Sequence, residues 1–204
     1  MKILAVCSGS AQILPGRSYR TGIFKYPVEA GVMVDREGLI GDAICNRKHH
    51  GGVDQAVYAL GSIDLDWWSK ELGRELEPGT FGENLVIEGA DSRTISVGDR
   101  FLTGRIELEV TSARIPCATF AARMEDQAFP KRFIAAGRPG FYCRVLKDGV
   151  VKAGDAVTYH SYCGAPVLMP ELLKTFGRAV SGADRDRYLA APIHHKLRAQ
   201  LNGA

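Results

Sequence analysis

Cys117 closes the run Ser112-Ala113-Arg114-Ile115-Pro116-Cys117 and stands directly before Ala118 to Met124, a segment with the composition of a short helix. A thiol at that point meets free backbone N–H groups and the positive end of a helix dipole, with the Arg114 guanidinium close in sequence. Both favour the thiolate, the form that ligates soft metals and attacks electrophiles. The same residue also reads as a small buried hydrophobe, the ordinary fate of an isolated cysteine. Three further segments carry groups suited to binding. His49-His50-Gly51-Gly52 is either a cradle for a phosphate or pterin, since paired glycines permit positive φ and close backbone approach, or a tight turn before a strand. Phe81-Gly82-Glu83-Asn84-Leu85 reads equally as an Asx-type turn or as a matched donor and acceptor set for a heterocycle. Gly137-Arg138-Pro139-Gly140-Phe141-Tyr142-Cys143-Arg144 puts two guanidiniums at the mouth of a strand, to clamp phosphate or to pair with surface carboxylates.

The elements that must position these groups are mostly short strands. Ile106, Leu108 and Val110 alternate with Glu107, Glu109 and Thr111, the period of a half-buried strand that Pro116 then ends. Lys2 to Val6, Gly31 to Val34, Gln55 to Leu60, Asn84 to Ile87, Arg100 to Thr103, Phe141 to Lys147 and Ala156 to Tyr162 are the other strands expected. Turn signals such as Gly41-Asp42, Gly98-Asp99 and Gly154-Asp155 separate them. Many short strands suggest a barrel. One helix interrupts them, with Ser62 as N-cap, an Asp66 to Lys70 ion pair and Gly73 as its end; Ile63, Trp67, Trp68 and Leu72 give it a core-facing side. Past residue 163 the pattern turns helical. Pro170 opens one helix, Gly182 breaks it, Asp184 to Ala190 forms a second and Pro192 starts a third, near which His194 and His195 read as solvated or capping histidines.

A chain of 204 residues with 46% hydrophobic content buries one good core and a small appendage. The apolar run Ile3 to Cys7 is too short for a secretory segment and no later run approaches a membrane span, so a soluble, cytoplasmic protein is expected, with no membrane partner. The five cysteines are scattered without a C-x-x-C pair, which indicates reduced thiols rather than a disulfide framework or zinc ribbon. The net charge of +3 belongs to the tail, where six basic residues face three acidic ones after residue 163; the preceding part is neutral overall. It has no basic stripe of the kind that binds duplexes, so nucleic acid is excluded as an expected partner.

In their order along the chain these segments resemble the MOSC family, named for the C-terminal domain of molybdenum cofactor sulfurases. The resemblance begins at Thr21-Gly22-Ile23-Phe24-Lys25-Tyr26-Pro27-Val28 and continues through Gly38-Leu39-Ile40-Gly41-Asp42 and His49-His50-Gly51-Gly52-Val53-Asp54-Gln55-Ala56-Val57-Tyr58. Phe81-Gly82-Glu83-Asn84-Leu85, Val97-Gly98-Asp99, Arg114-Ile115-Pro116-Cys117 and Gly154-Asp155 complete it. The helical tail is similar to that of stand-alone bacterial members like the 6-N-hydroxylaminopurine resistance protein. The resemblance implies a mainly β fold, a strand-rich MOSC-type β-barrel over 1–163 with a few helices and a C-terminal helical appendage over 164–204.

It also implies a pterin-bound molybdenum, the molybdenum cofactor (Mo-molybdopterin), with Cys117 as the protein's metal ligand. Lys25, His50, Gly51, Gly52, Asn84, Arg114 and Arg144 fall where the family places groups around the pterin and its phosphate. The implied activity is reduction of a small N-hydroxylated substrate by oxygen abstraction. His50 and Glu83 are the two candidates for proton delivery. With no flavin, haem or iron–sulfur motif legible, a separate electron-donating reductase is the expected partner, and a homodimer is a further possibility. Two other functions use the same residues. Cys117 as a persulfide would make the protein a sulfur carrier or a cofactor delivery protein, and Cys45, His49, His50 and Cys117 together would make a zinc site in a non-redox protein.

Overall fold

The computed structural model describes residues 1–203. Its strands are β1 (Ile3–Ser8), β2 (Gln12–Ile13), β3 (Arg20–Thr21), β4 (Tyr26–Pro27), β5 (Val32–Asp35), β6 (Gly38–Leu39) and β7 (Val57–Gly61), followed by β8 (Leu85–Ile87), β9 (Arg100–Leu102), β10 (Glu107–Ala113), β11 (Phe141–Lys147), β12 (Gly149–Val151) and β13 (Thr158–His160). The helices are α1 (Ser62–Leu72), α2 (Ala118–Arg123), α3 (Phe129–Ala136), α4 (Met169–Thr175), α5 (Gly182–Ala190) and α6 (His195–Leu201), with a 3-10 turn at Val53–Gln55. No described helix is long and apolar enough to cross a membrane.

Eight strands form one sheet in the order β13-β9-β10-β11-β7-β8-β1-β4. All its pairs are antiparallel except β7 with β8, and that parallel step is bridged by α1, as a parallel connection requires. The fold is therefore rich in sheet with several helices, but the ladders do not close into the expected barrel. Strand order runs from β13 to β4, and the approach to β13 is joined to the start of β1 by the Lys2 to Ala156 bridge and by backbone hydrogen bonds from Ile3 N–H to Asp155, Gly154 N–H to Ile3 and Val157 N–H to Met1.

Strand β7 explains where the core lies. Each of its five residues is buried, so both faces of the sheet are covered here. The period of two sends Val57 and Ala59 into the larger core with Phe101, Val110 and Phe141. It sends Tyr58 and Leu60 into a second, aromatic core with Trp68, Phe81, Phe120, Phe129 and Phe133. Trp68 is the keystone of that second core, 0% exposed and stacked on Phe133 at 5.6 Å between ring centroids. Trp68→Ala is expected to cost about 3–5 kcal/mol, read as a fall in the urea midpoint, because three helices converge on the volume it fills.

Local departures from the sequence reading have local causes. Gly61 rather than Ser62 is the N-cap of α1, and the Ser62 hydroxyl accepts from the Gly89 N–H instead. No Asp66 to Lys70 ion pair forms among the described residues; the first-turn acid that matters is Asp64, buried and paired with Arg138 at 3.0 Å. Gly73 ends the helix in the left-handed region, as expected. Gly182 begins α5 behind Ser181 instead of acting as a break, and the third tail helix starts at His195, three residues after Pro192. The tail is no satellite: Met169, Leu172, Leu173, Tyr188 and Ile193 belong to the same core as Phe101 and Val110.

Candidate functional site

Arg114 and Cys117 leave the end of β10 together. Pro116 stops the ladder, and Cys117 takes the N-cap position of α2 in extended conformation. Both side chains line one cleft with His50, Gly51, Lys25 and Asn84, so six of the residues singled out from the sequence come together. The cleft has a volume of about 840 Å3 counted out to its mouth.

Burial alone would push the Cys117 thiol up. The His50 side chain, the Phe120 N–H and the Arg114 charge outweigh it and bring the thiol down to about 7. Arg114 is itself 6% exposed and makes no ion pair among the described residues. Its guanidinium donates to the Phe81 carbonyl and lies 3.8 Å from the Phe120 ring centroid and 5.0 Å from that of Tyr58. A buried cation resting on aromatic faces stands in the same wall as the thiol it helps to ionise, so the Cys117 thiolate is its nearby anion.

Lys25 is not such a free cation. Its ammonium is buried against the Asp42 carboxylate, which also accepts from the Gly9 N–H at 2.9 Å and from the Asn84 amide at 2.9 Å. Asn84 in turn donates to the Cys7 carbonyl at 3.3 Å and accepts the Tyr58 N–H at 3.2 Å. The three residues tie β1, β7 and the Asp42 loop together beneath the cleft. Asp42→Asn leaves the Lys25 ammonium buried without its counter-charge, and a loss of about 3–5 kcal/mol in urea unfolding is expected; adding Lys25→Met should restore most of it.

Glu83, Gly52 and Arg144 are placed differently from the other candidates. Glu83 lies behind the wall, its carboxylate accepting the Gly79 and Phe81 N–H groups at 2.6 and 2.9 Å, with burial raising its pKa. It holds the turn whose Phe81 carbonyl receives Arg114. Gly52, at φ 82, caps the 3-10 turn beside the cleft, while Gly51, at φ 74, is in the lining; its added Cβ would meet Ile44 at 2.9 Å. Arg144 faces a second cavity and pairs with Asp54 at 2.9 Å and Glu109 at 3.3 Å. Tyr142, which shares its face of β11, does line the Cys117 cleft.

Two contributors carried no role in the sequence reading. Asp42 was signalled only by the rule that a buried lysine needs a partner. Gln55 lines the cleft, and its Oε1 is buried with no hydrogen-bond donor. An orphaned acceptor, a guanidinium without a carboxylate partner and a soft thiolate form a donor set that fits a pterin-held molybdenum: heterocycle N–H groups for Gln55, the metal for Cys117, and Arg114 to balance the thiolate charge.

The zinc set of Cys45, His49, His50 and Cys117 is not gathered. Among the described residues the ligand atoms that do converge, within 4.8 Å, are those of Asp54, His194 and His195. Both Asp54 oxygens are already taken, one by Arg144 and the other by the His195 N–H at 2.8 Å and ring at 2.7 Å, and a guanidinium at that distance opposes a cation. His194 caps α6 by accepting the Lys196 N–H at 3.0 Å, the capping role read from the sequence, and burial brings its pKa down to about 4.

Comparison with known proteins shows the family and the fold. Residues 46–158 match the MOSC domain. The chain is 32% identical over 154 residues to the uncharacterized protein YflK of Bacillus subtilis, covering 74% of this chain and 70% of that one. It is 30% identical over 147 residues to a Gibberella moniliformis protein named "Reductase", of which it spans only 26%. The crystal structure of YiiM from Geobacillus stearothermophilus superposes with a TM-score of 0.80 at 23% identity, over 99% of this chain and 97% of that one.

Proposed function

The chain belongs to the MOSC domain family, and from that premise we propose that it binds the molybdenum cofactor and reduces N-hydroxylated compounds of the hydroxylaminopurine type. One observation carries the reading: a thiol brought down to about 7 shares a cleft with a buried guanidinium that has no carboxylate partner. When bound, the cofactor supplies two-electron removal of oxygen from an N–O bond, chemistry no side chain offers.

The chain's own residues bind, orient and move protons. Cys117 presents one soft anionic ligand atom at the start of α2. Arg114 balances that charge from inside the wall, and Gln55 Oε1 takes a heterocycle N–H. His50, beside the thiol, holds a proton at a ring nitrogen for the departing oxygen; Glu83 is turned away into its own backbone contacts. Gly51 lets the loop approach the ligand without a side chain in between. Electrons would come from a separate reductase.

The test is loading. Expressed in a host that makes the cofactor, the protein is expected to copurify with molybdenum and pterin, and to reduce 6-N-hydroxylaminopurine with an artificial donor. The low thiol pKa serves a persulfide equally well. Loaded protein that is inert toward N-hydroxylated compounds but passes sulfur from Cys117 to an acceptor would assign the cleft to sulfur or cofactor delivery instead.

A further inference from the structure

The second cavity, about 860 Å3 counted out to its mouth, has no part in the function above. Val53 and Asp54 line it, while the next residue, Gln55, lines the Cys117 cleft, so the 3-10 turn is a partition between the two. Three guanidiniums, those of Arg36, Arg144 and Arg198, share its wall with the His195 ring and a single carboxylate, Asp54.

The charges in that wall do not cancel. Asp54 is used up by Arg144 and His195. Glu109, on the far side of Arg144, is shared with Arg100 at 3.1 Å. Arg198 donates to the Leu189 and Ala191 carbonyls at 2.8 and 2.6 Å, which occupies two of its five N–H donors without neutralising its charge. Arg36 has Glu37 at 4.0 Å, both side chains at least half exposed, a pairing of little strength. Most telling, Arg144 Nε is buried and has no hydrogen-bond partner, although the same side chain pairs with Asp54 and Glu109 and donates to Pro192. A buried guanidinium N–H left without an acceptor costs stability unless a ligand supplies one.

We propose that this cavity is a binding site for the phosphate group of a small phosphorylated molecule, held by Arg144, Arg36 and Arg198. A guanidinium fork matches phosphate oxygens two at a time, and the surplus of positive charge favours a multiply charged group over a single carboxylate. The site is independent of the molybdenum reading and stands or falls without it.

Inorganic pyrophosphate is the probe, titrated into the full chain by calorimetry and followed by hydrogen exchange, with sodium chloride at matched ionic strength as control. Saturable binding is expected, with new protection at 53–54, 144–145 and 192–198. Arg144→Lys, which keeps the charge and loses the fork, and the surface pair Arg36→Gln with Arg198→Gln should each weaken it at least about tenfold. Near-ultraviolet circular dichroism establishes that each variant is folded, and Cys117→Ala should bind pyrophosphate as the parent does. Binding matched by chloride, protection centred on Cys117 instead, or equal affinity in the folded arginine variants overturns the proposal.

Discussion

Cys117→Ser is expected to end turnover of N-hydroxylated substrates while leaving the fold intact. The substitution changes one atom at a half-buried N-cap in a cleft wall, and serine is a good N-cap residue, so the melting temperature should stay close to that of the parent. What is lost is the soft anion. A serine hydroxyl in the same place stays protonated near neutrality and offers the metal a hard oxygen. Removing a group that merely orients a metal ligand typically costs 10–100-fold; removing the ligand itself should cost more, at least about a hundredfold in kcat/KM or about 2.7 kcal/mol. Equal turnover in parent and variant would take Cys117 out of the chemistry.

Arg114→Met has the second large effect, and it is readable without cofactor. Methionine keeps the contact with Phe120 and Tyr58 but removes the charge that helps hold the Cys117 thiol at about 7. His50 and the Phe120 N–H remain, so the thiol should move back toward its ordinary 9.0 by on the order of one unit. Alkylation of Cys117 by iodoacetamide, half-maximal near pH 7 in the parent, should become half-maximal near pH 8 in the variant.

Stability carries the same signature. In the folded chain the thiol lies below its unfolded value, so the unfolded chain binds that proton more tightly. The Cys117 contribution is then fully present above about pH 9 and is lost as pH falls through about 7. Cys7 and Cys143, which burial pushes up, act in the opposite sense, their contribution waning only from about 9 upward. Between pH 7 and 9 the parent should therefore gain stability with pH, and Arg114→Met should gain less. Superimposable pH profiles for the two proteins would show that the guanidinium does not act on the sulfur.

How much of this was legible depends on whether the determining contact was local. Strand β11 spans Phe141–Lys147 as the turn signals around it predict, and Gly73 ends α1, because turn residues and a left-handed cap are written in neighbouring residues. Cys117, Arg114, His50, Gly51, Lys25 and Asn84, the residues that the family resemblance implied, line one cleft, each held at the end of a strand or in a turn. Helix α3 went unseen. It is only eight residues long with a proline in its first turn, and Phe129 and Phe133 packing on Trp68, not propensity, keep it helical. The barrel was inferred from the number of strands, but closure depends on ladders between the first and last of them, and there one bridge and a few backbone hydrogen bonds stand in place of a continuous ladder.

Arg144 shows most plainly what sequence order leaves open. The family resemblance implied a place for it beside the pterin, and it is two residues from Tyr142, a cleft residue on the same face of β11. The Val53–Gln55 turn packs across that face, with the Thr111 hydroxyl donating both to the Asp54 carbonyl and to the Tyr142 carbonyl at 3.1 Å, and leaves the two side chains in different cavities. Asp42 escaped notice because its worth comes from Lys25, Gly9 and Asn84, residues far apart in the chain.

X-ray absorption at the molybdenum edge, on cofactor-loaded parent and loaded Cys117→Ser, tests the ligand assignment most directly. The account predicts one sulfur fewer around the metal in the serine variant, replaced by a lighter scatterer. Indistinguishable sulfur shells in the two proteins would contradict it.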